Sequence, residues 1–313
     1  MSRIRKFSCW VLLPIGIMLI GALAACSSGA LPSQTLPAQT ANGGSTSSKI
    51  LVVAAENFYG DLVQQLGSDQ VSVTSILSDP NIDPHMYESN VQNAVAVSQA
   101  QLVVQNGDGY DTWMDKLLSA SPNPQGVVLV AAAIADHKLP DNPHVWYGLD
   151  NIQTIAGEIT NALVKIDPAS KPAFEDNLSK FQRSLVPIQQ KMADLKAKYA
   201  GTPVGLTETI FLYQTTPIGL NVLTPFEFEK AIAEGNDPPA DTVATTNDQI
   251  NKHQIKVLIY NIQTVTPLTT NLQDEAKKAN IPIVAVSETM PAGKTYQQWM
   301  LDQLNALAQA LGS

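Results

Sequence analysis

Between positions 174 and 199, apolar side chains recur in steps of four and three: Phe174, Leu178, Phe181, Leu185, Ile188, Met192, Leu195 and Tyr199. That spacing puts one stripe along one face of a helix. Asp167 and Pro168 supply an N-cap and a first-turn proline, and Gly201-Thr202-Pro203 supplies a stop. The segment 167–200 is therefore expected to be one helix, on the order of 45 to 50 Å long at ~1.5 Å per residue. Pro187 should kink it, because proline removes one rung of the hydrogen-bond ladder and clashes with the preceding turn. An element of that length crosses from one half of the chain to the other and packs against both. As a strut it restricts wide hinge closure.

Before the stripe, short β-branched runs at 50–54, 71–77, 102–105 and 127–130 alternate with helical patterns at 58–66, 91–100 and 112–119. After it, runs at 204–206, 221–223, 257–260 and 283–286 repeat the rhythm, and a final helix is expected over 296–311. Such alternation implies βα units. The expected fold class is α/β: two βα lobes, 49–166 and 201–313, each with a mainly parallel sheet of about four strands, joined by one long helix.

The first 48 residues are of another kind. Arg3, Arg5 and Lys6 precede an apolar run from position 10 to 25 that is shorter than a membrane span, so residues 1–25 read as a secretory signal. The run ends in Leu23-Ala24-Ala25-Cys26, which resembles the bacterial lipobox; Cys26 would then be the acylated mature N-terminus. Cys9 lies in the part removed, so the mature chain has no pair of cysteines for a disulfide. Residues 26–48, rich in Ser, Thr, Gly, Pro, Ala and Gln and without charge before Lys49, read as a flexible tether. The implied location is extracytoplasmic, lipid-anchored to the bacterial cell membrane.

A net charge of −9 with no Lys/Arg stripe argues against a nucleic-acid partner. The chain lacks Gly-x-Ser-x-Gly and His-Glu-x-x-His, the common hydrolase signatures. Asn106-Gly107-Asp108-Gly109 lacks the Gly-Lys-Ser/Thr of a phosphate loop and reads as a turn. His137 reads as a surface residue, His253 as a helix C-terminal residue, and Trp113, Trp146 and Trp299 as core or cleft walls.

In open α/β sheets ligands collect at the carboxyl ends of the strands. Four polar residues stand out there, in two similar pairs. Asp83-Pro84-His85 and Asn142-Pro143-His144 each place a histidine behind a stiffening proline, whereas Thr207-Glu208-Thr209 and Ser287-Glu288-Thr289 each place a glutamate just past a strand. Two imidazoles and two carboxylates from four strand ends can surround a divalent cation. Taken singly, each has a plainer reading, as a surface histidine or a solvated helix-start glutamate. Their repetition is what makes a shared site attractive.

With these residues set out, the whole chain resembles the bacterial zinc- and manganese-binding lipoproteins that serve as solute-binding subunits of metal ABC transporters, of the helical-backbone (cluster A-I) type. The resemblance is carried by Asp83-Pro84-His85-Met86-Tyr87-Glu88, Asn142-Pro143-His144-Val145-Trp146, the long helix and Ile281-Pro282-Ile283. It implies a metal site between the lobes made by His85, His144, Glu208 and Glu288, with Zn2+ or Mn2+ as the bound ion and an ABC permease as partner of a monomer. Departures are Glu288 where Asp is commoner, Tyr147-Gly148-Leu149-Asp150 where the family often has Leu-Asp-Pro, and no His-rich loop. Glu208 in place of a third histidine resembles the manganese branch, while the Irving–Williams order favours zinc. The expected function is capture of a divalent metal ion for an importer, without enzymatic activity. The alternatives are a secreted metal-dependent hydrolase using Glu208 or Glu288 as general base, and a siderophore or corrin receptor.

Overall fold

The run Ile50–Glu56 is buried at every position but Leu51, as a strand covered on both faces must be, and it forms β1 at the centre of the first sheet. The computed structural model describes residues 48–80, 82, 84 and 87–313. The signal segment, most of the tether with Cys26, and Asp83, His85 and Met86 of the first histidine loop lie outside the described residues. Around β1 stand β2 (Val71–Leu77), β3 (Leu102–Gln105) and β4 (Val127–Val130), all parallel, in the order β2-β1-β3-β4. The helices of this half are α1 (Asn57–Gly67), α2 (Val91–Gln99), α3 (Thr112–Ala120) and the single turn α4 (Ala131–Ile134). An 18-residue helix, α5 (Leu149–Ile166), which the sequence reading did not anticipate, starts at the Gly148-Leu149-Asp150 departure. It buries Ile152, Ile155, Ala156, Ile159 and Leu163 along one face.

The expected single helix over 167–200 is divided. Asp167 caps a 3-10 turn at Pro168–Ser170, with its carboxylate accepting from the Ala169 N–H at 3.2 Å. Then come α6 (Lys171–Ser184) and α7 (Val186–Tyr199), separated at Leu185. The break falls two residues before Pro187, whose missing N–H and ring cannot be accommodated against the turn formed by Arg183. The Leu185 N–H instead donates to the carbonyl of Gln182, three residues back, at 3.3 Å. The two pieces divide their work: α6 packs on α1 and α5, and α7 on α8 (Leu212–Ile218) and α12 (Tyr296–Gly312).

The second half repeats the first. Strands β5 (Pro203–Leu206), β6 (Asn221–Val222), β7 (Leu258–Asn261) and β8 (Ile283–Val286) are parallel in the order β6-β5-β7-β8. Helices α9 (Phe226–Ala233), α10 (Ala240–Asn251) and α11 (Pro267–Lys278) complete it. His253 lies two residues past the end of α10, with φ 51, so it occupies the left-handed turn that stops the helix instead of its last helical turn. In each sheet the chain moves outward from the first strand in both directions, which opens a crevice at the carboxyl ends of β1 and β3, and again at β5 and β7. Among the described residues no helix is long and apolar enough to cross a membrane.

One hydrophobic cluster runs through both lobes. Phe58 of α1 stacks on Trp146, with ring centroids 4.6 Å apart and 21° between planes, and approaches Trp299 of α12 at 5.9 Å. Tyr147 meets Phe211 and Trp299, each at 5.7 Å. Hydrogen bonds cross at the same level: the Tyr296 hydroxyl donates to the Trp146 carbonyl at 2.8 Å, and the Gln214 amide to the Tyr147 carbonyl at 2.6 Å. Trp113, Trp146 and Trp299 are all buried, as expected of core residues.

Because Phe58 touches aromatic rings of both halves, Phe58→Ala should cost about 3 to 5 kcal/mol and lower the melting temperature by on the order of 10 °C. Thermal unfolding followed by circular dichroism checks this; a drop of less than about 2 °C would mean the lobes do not share that core.

Candidate metal centre

His144 enters the interior behind Pro143, at the start of a 3-10 turn, Val145–Tyr147, and is completely buried. Asn142 sets its orientation. The Asn142 amide nitrogen donates to the Thr209 carbonyl at 2.8 Å, so its oxygen must be the acceptor facing the imidazole. That oxygen lies 2.7 Å from His144 Nδ1 and 3.1 Å from the His144 backbone N–H. Nδ1 therefore carries the proton and Nε2 is the lone-pair nitrogen, the tautomer a metal ligand needs. The same amide ties the His144 loop of the first lobe to the residue that follows Glu208 in the second.

Glu208 stands two residues past β5, with extended backbone at φ −161 and ψ 179, and is buried. Glu288 occupies the equivalent position past β8 and is also buried. A polar chain joins them. The Thr264 hydroxyl donates to Glu208 Oε2 at 3.1 Å, and Asn261, the last residue of β7, donates to Thr264 Oγ1 at 2.9 Å and to Glu288 Oε1 at 2.5 Å. Gln263 fixes the Glu288 backbone: its carbonyl oxygen accepts the N–H of Glu288 at 2.7 Å and of Thr289 at 3.0 Å. Its amide nitrogen donates to the Ile82 carbonyl at 2.9 Å, in the loop of Pro84 and His85. Tyr110, after β3, lies close enough to Glu288 for that carboxyl to add to the upward push that burial gives its hydroxyl, and its ring is 5.8 Å from that of His144.

Three of the four expected ligands, His144, Glu208 and Glu288, are thus buried in one connected network at the lobe interface, and His85 lies outside the described residues. Among the described residues, no three His, Cys, Asp or Glu side chains come close enough to hold one ion. Beside His144 opens a cavity of about 360 Å³, lined among others by Asp108, Pro143, Thr209, Lys230 and Glu234. At its rim Lys230 pairs with Asp141 across the lobes at 2.9 Å, an exposed contact that contributes little to stability. Asn106-Gly107-Asp108-Gly109 is a turn, as expected, with positive φ at Gly107, Asp108 and Gly109.

The electrostatics are lopsided. Five acids, Glu56, Asp111, Glu208, Glu229 and Glu288, are buried, while no Lys or Arg is buried among the described residues. Burial raises the Glu56 carboxyl well above the usual range, with nearby Asp111 adding to the effect. Burial does the same to Glu229, helped by the charge of Glu208. Glu56 and Glu229 escaped the sequence reading. Glu56 could have been found by the rule that selected the other glutamates, since it ends a strand; ending that strand at position 54 hid it. Asn261, Gln263 and Thr264 carry no signal of their own, because amides and hydroxyls after a strand are ordinary loop residues.

This arrangement can be set beside known proteins. The profile of the family described as ZnuA, zinc-uptake complex component A, periplasmic, matches residues 52–310. The chain belongs to this family. It is an extracytoplasmic metal-binding, solute-binding protein of the ABC-transporter type and not an enzyme. It is 26% identical over 314 residues to the metal ABC transporter substrate-binding lipoprotein ScbA of Streptococcus cristatus, covering 92% of this chain and 94% of that one. It is 24% identical to the manganese ABC transporter substrate-binding lipoprotein PsaA of Streptococcus anginosus, covering 93% and 94% of the two chains. The fold matches the periplasmic zinc-binding protein TroA of Treponema pallidum with a TM-score of 0.72 at 17% identity, over 84% of this chain and 99% of that one.

A raised Glu229 has a consequence for stability. The neutral carboxyl is tolerated below the unfolded-chain value, roughly 4.3; above it, ionisation in the unfolded chain favours unfolding until the folded value is reached. In the metal-free protein, Glu229→Gln should therefore raise the melting temperature at pH 7.5 relative to the parent by more than at pH 4. An equal shift at both pH values would show that Glu229 is not held neutral.

Proposed function

We propose that this protein captures a divalent cation, zinc or manganese, in the cleft between its lobes through His85, His144, Glu208 and Glu288, and delivers it to the permease of an ABC importer. Cys26 would carry the lipid that holds the protein at the membrane face, with residues 26–48 as the tether. The observation that carries this reading is the set of five buried carboxyl groups with, among the described residues, no buried lysine or arginine to neutralise them. Such a set is destabilising unless protons or a cation enter with it. The imidazole tautomer fixed by Asn142 and the amide and hydroxyl donors on both glutamates supply the oriented outer contacts that metal ligands require. The named ions of the relatives, zinc in one and manganese in another, support the class of ion.

His144→Ala, Glu208→Gln and Glu288→Gln should each weaken zinc and manganese binding by about a hundredfold or more, measured by competition with a chromophoric chelator. Parental affinity in all three variants would overturn the proposal. Competition of the two ions for the parent protein identifies the preferred one, and His85→Ala tests the fourth ligand on the same scale.

A further inference from the structure

Asn261 ends β7, the strand that lies between β5 and β8 in the second sheet, so it stands between the two strand ends that deliver Glu208 and Glu288. The register brings it level with both. Leu206 pairs with Ile259, which, continued two residues along each strand, sets Glu208 beside Asn261; Asn261 itself pairs with Val286, two residues before Glu288. Its side chain is buried, and the amide is oriented from behind: Oδ1 accepts the Gln263 N–H at 3.0 Å, so the amide nitrogen is the end that faces the glutamates.

Two bonds leave that nitrogen. One goes to Glu288 Oε1 at 2.5 Å and the other to Thr264 Oγ1 at 2.9 Å. A hydroxyl that accepts from the amide keeps its own proton for another partner, and the Thr264 hydroxyl donates it to Glu208 Oε2 at 3.1 Å. Donation therefore runs outward from one amide to both carboxylates. A lysine or arginine in this place would satisfy the same oxygens but cancel their charge, and so take the part of the ion. An amide and a hydroxyl fix the two carboxylates without neutralising them.

We propose that Asn261, acting with Thr264, is a positioning residue for metal capture: a neutral bridge that holds both glutamates in place in the metal-free protein and leaves their charge for the ion. The inference rests on the proposed roles of Glu208 and Glu288 as ligands. It gives the two bridge residues different reach. Thr264 acts on Glu208 alone, and Asn261 acts on both glutamates.

The test uses the mature protein, zinc chloride titrated against a competing chelator, and thermal unfolding in parallel. Thr264→Val, which keeps the shape and removes the hydroxyl, should weaken zinc binding by about tenfold, and Asn261→Leu by more than that. Thr264→Ser, which keeps the hydroxyl, should stay within about threefold of the parent. Added to Glu208→Gln, Thr264→Val should bring little further loss, whereas added to Glu288→Gln it should keep its roughly tenfold effect, because it acts through one glutamate and not the other. Parental affinity in folded Thr264→Val and Asn261→Leu would overturn the proposal, as would a loss with Thr264→Ser equal to that with Thr264→Val. The same loss from Thr264→Val in both glutamate backgrounds would also overturn it, in favour of a general structural role. If Asn261→Leu does not fold, half-buried Thr264 decides, and parental affinity in Thr264→Val overturns the bridge. A parent protein that binds no zinc or manganese, or parental affinity in Glu208→Gln and Glu288→Gln, would instead overturn the functional reading itself.

Discussion

Five carboxyl groups share an interior that holds no lysine or arginine among the described residues, and the organisation of the lobe interface follows from how that charge is managed. Each acid is handled differently. Asp111 accepts from backbone N–H groups, Glu208 from a threonine hydroxyl, and Glu288 from an asparagine amide. Glu56 and Glu229 have their carboxyl groups pushed toward the neutral form by burial. A low-dielectric interior makes partial neutralisation of this kind costly to disturb, and it makes a divalent cation the natural complement.

The donors that manage the charge also join the lobes. Asn142 reaches from the first lobe to Thr209, Gln263 from the second to Ile82, and Asn57 from the first to Met290. Together with the Phe58, Trp146, Tyr147 and Trp299 cluster they make the interlobe region a continuous core instead of an open hinge. The connecting element agrees with this. Divided at Leu185, it commits α6 to the first lobe and α7 to the second, so the joint lies within a packed helix pair. Wide separation of the lobes would have to break that core, so opening of the interface is confined to local shifts of its loops.

Much of this was legible in the residues. All eight strands fall within two residues of the expected runs, because short β-branched segments bounded by turns have few other ways to be buried. His144 was marked by the proline before it, Glu208 and Glu288 by lying just past strands, and all three are buried at the interface. The stripe from Phe174 to Tyr199 was also visible, but its periodicity runs unbroken through Leu185, and only the backbone at Pro187 decides that it becomes two helices. Helix α5 is absent from the expected elements although its apolar face is regular.

The sequence by itself determined the two βα lobes, the division between them and three interfacial residues, since hydrophobic period and strand-end position are local properties that survive in one dimension. Only the tertiary structure decided which groups meet. That Asn142 fixes the tautomer of His144 and that Asn261 and Thr264 bridge two glutamates depend on contacts between residues 2 to 56 positions apart in the chain. Polar partners of that kind carry no periodicity. Their pairing is set by where the packed core places the strand ends, and it exists only once the lobes have come together.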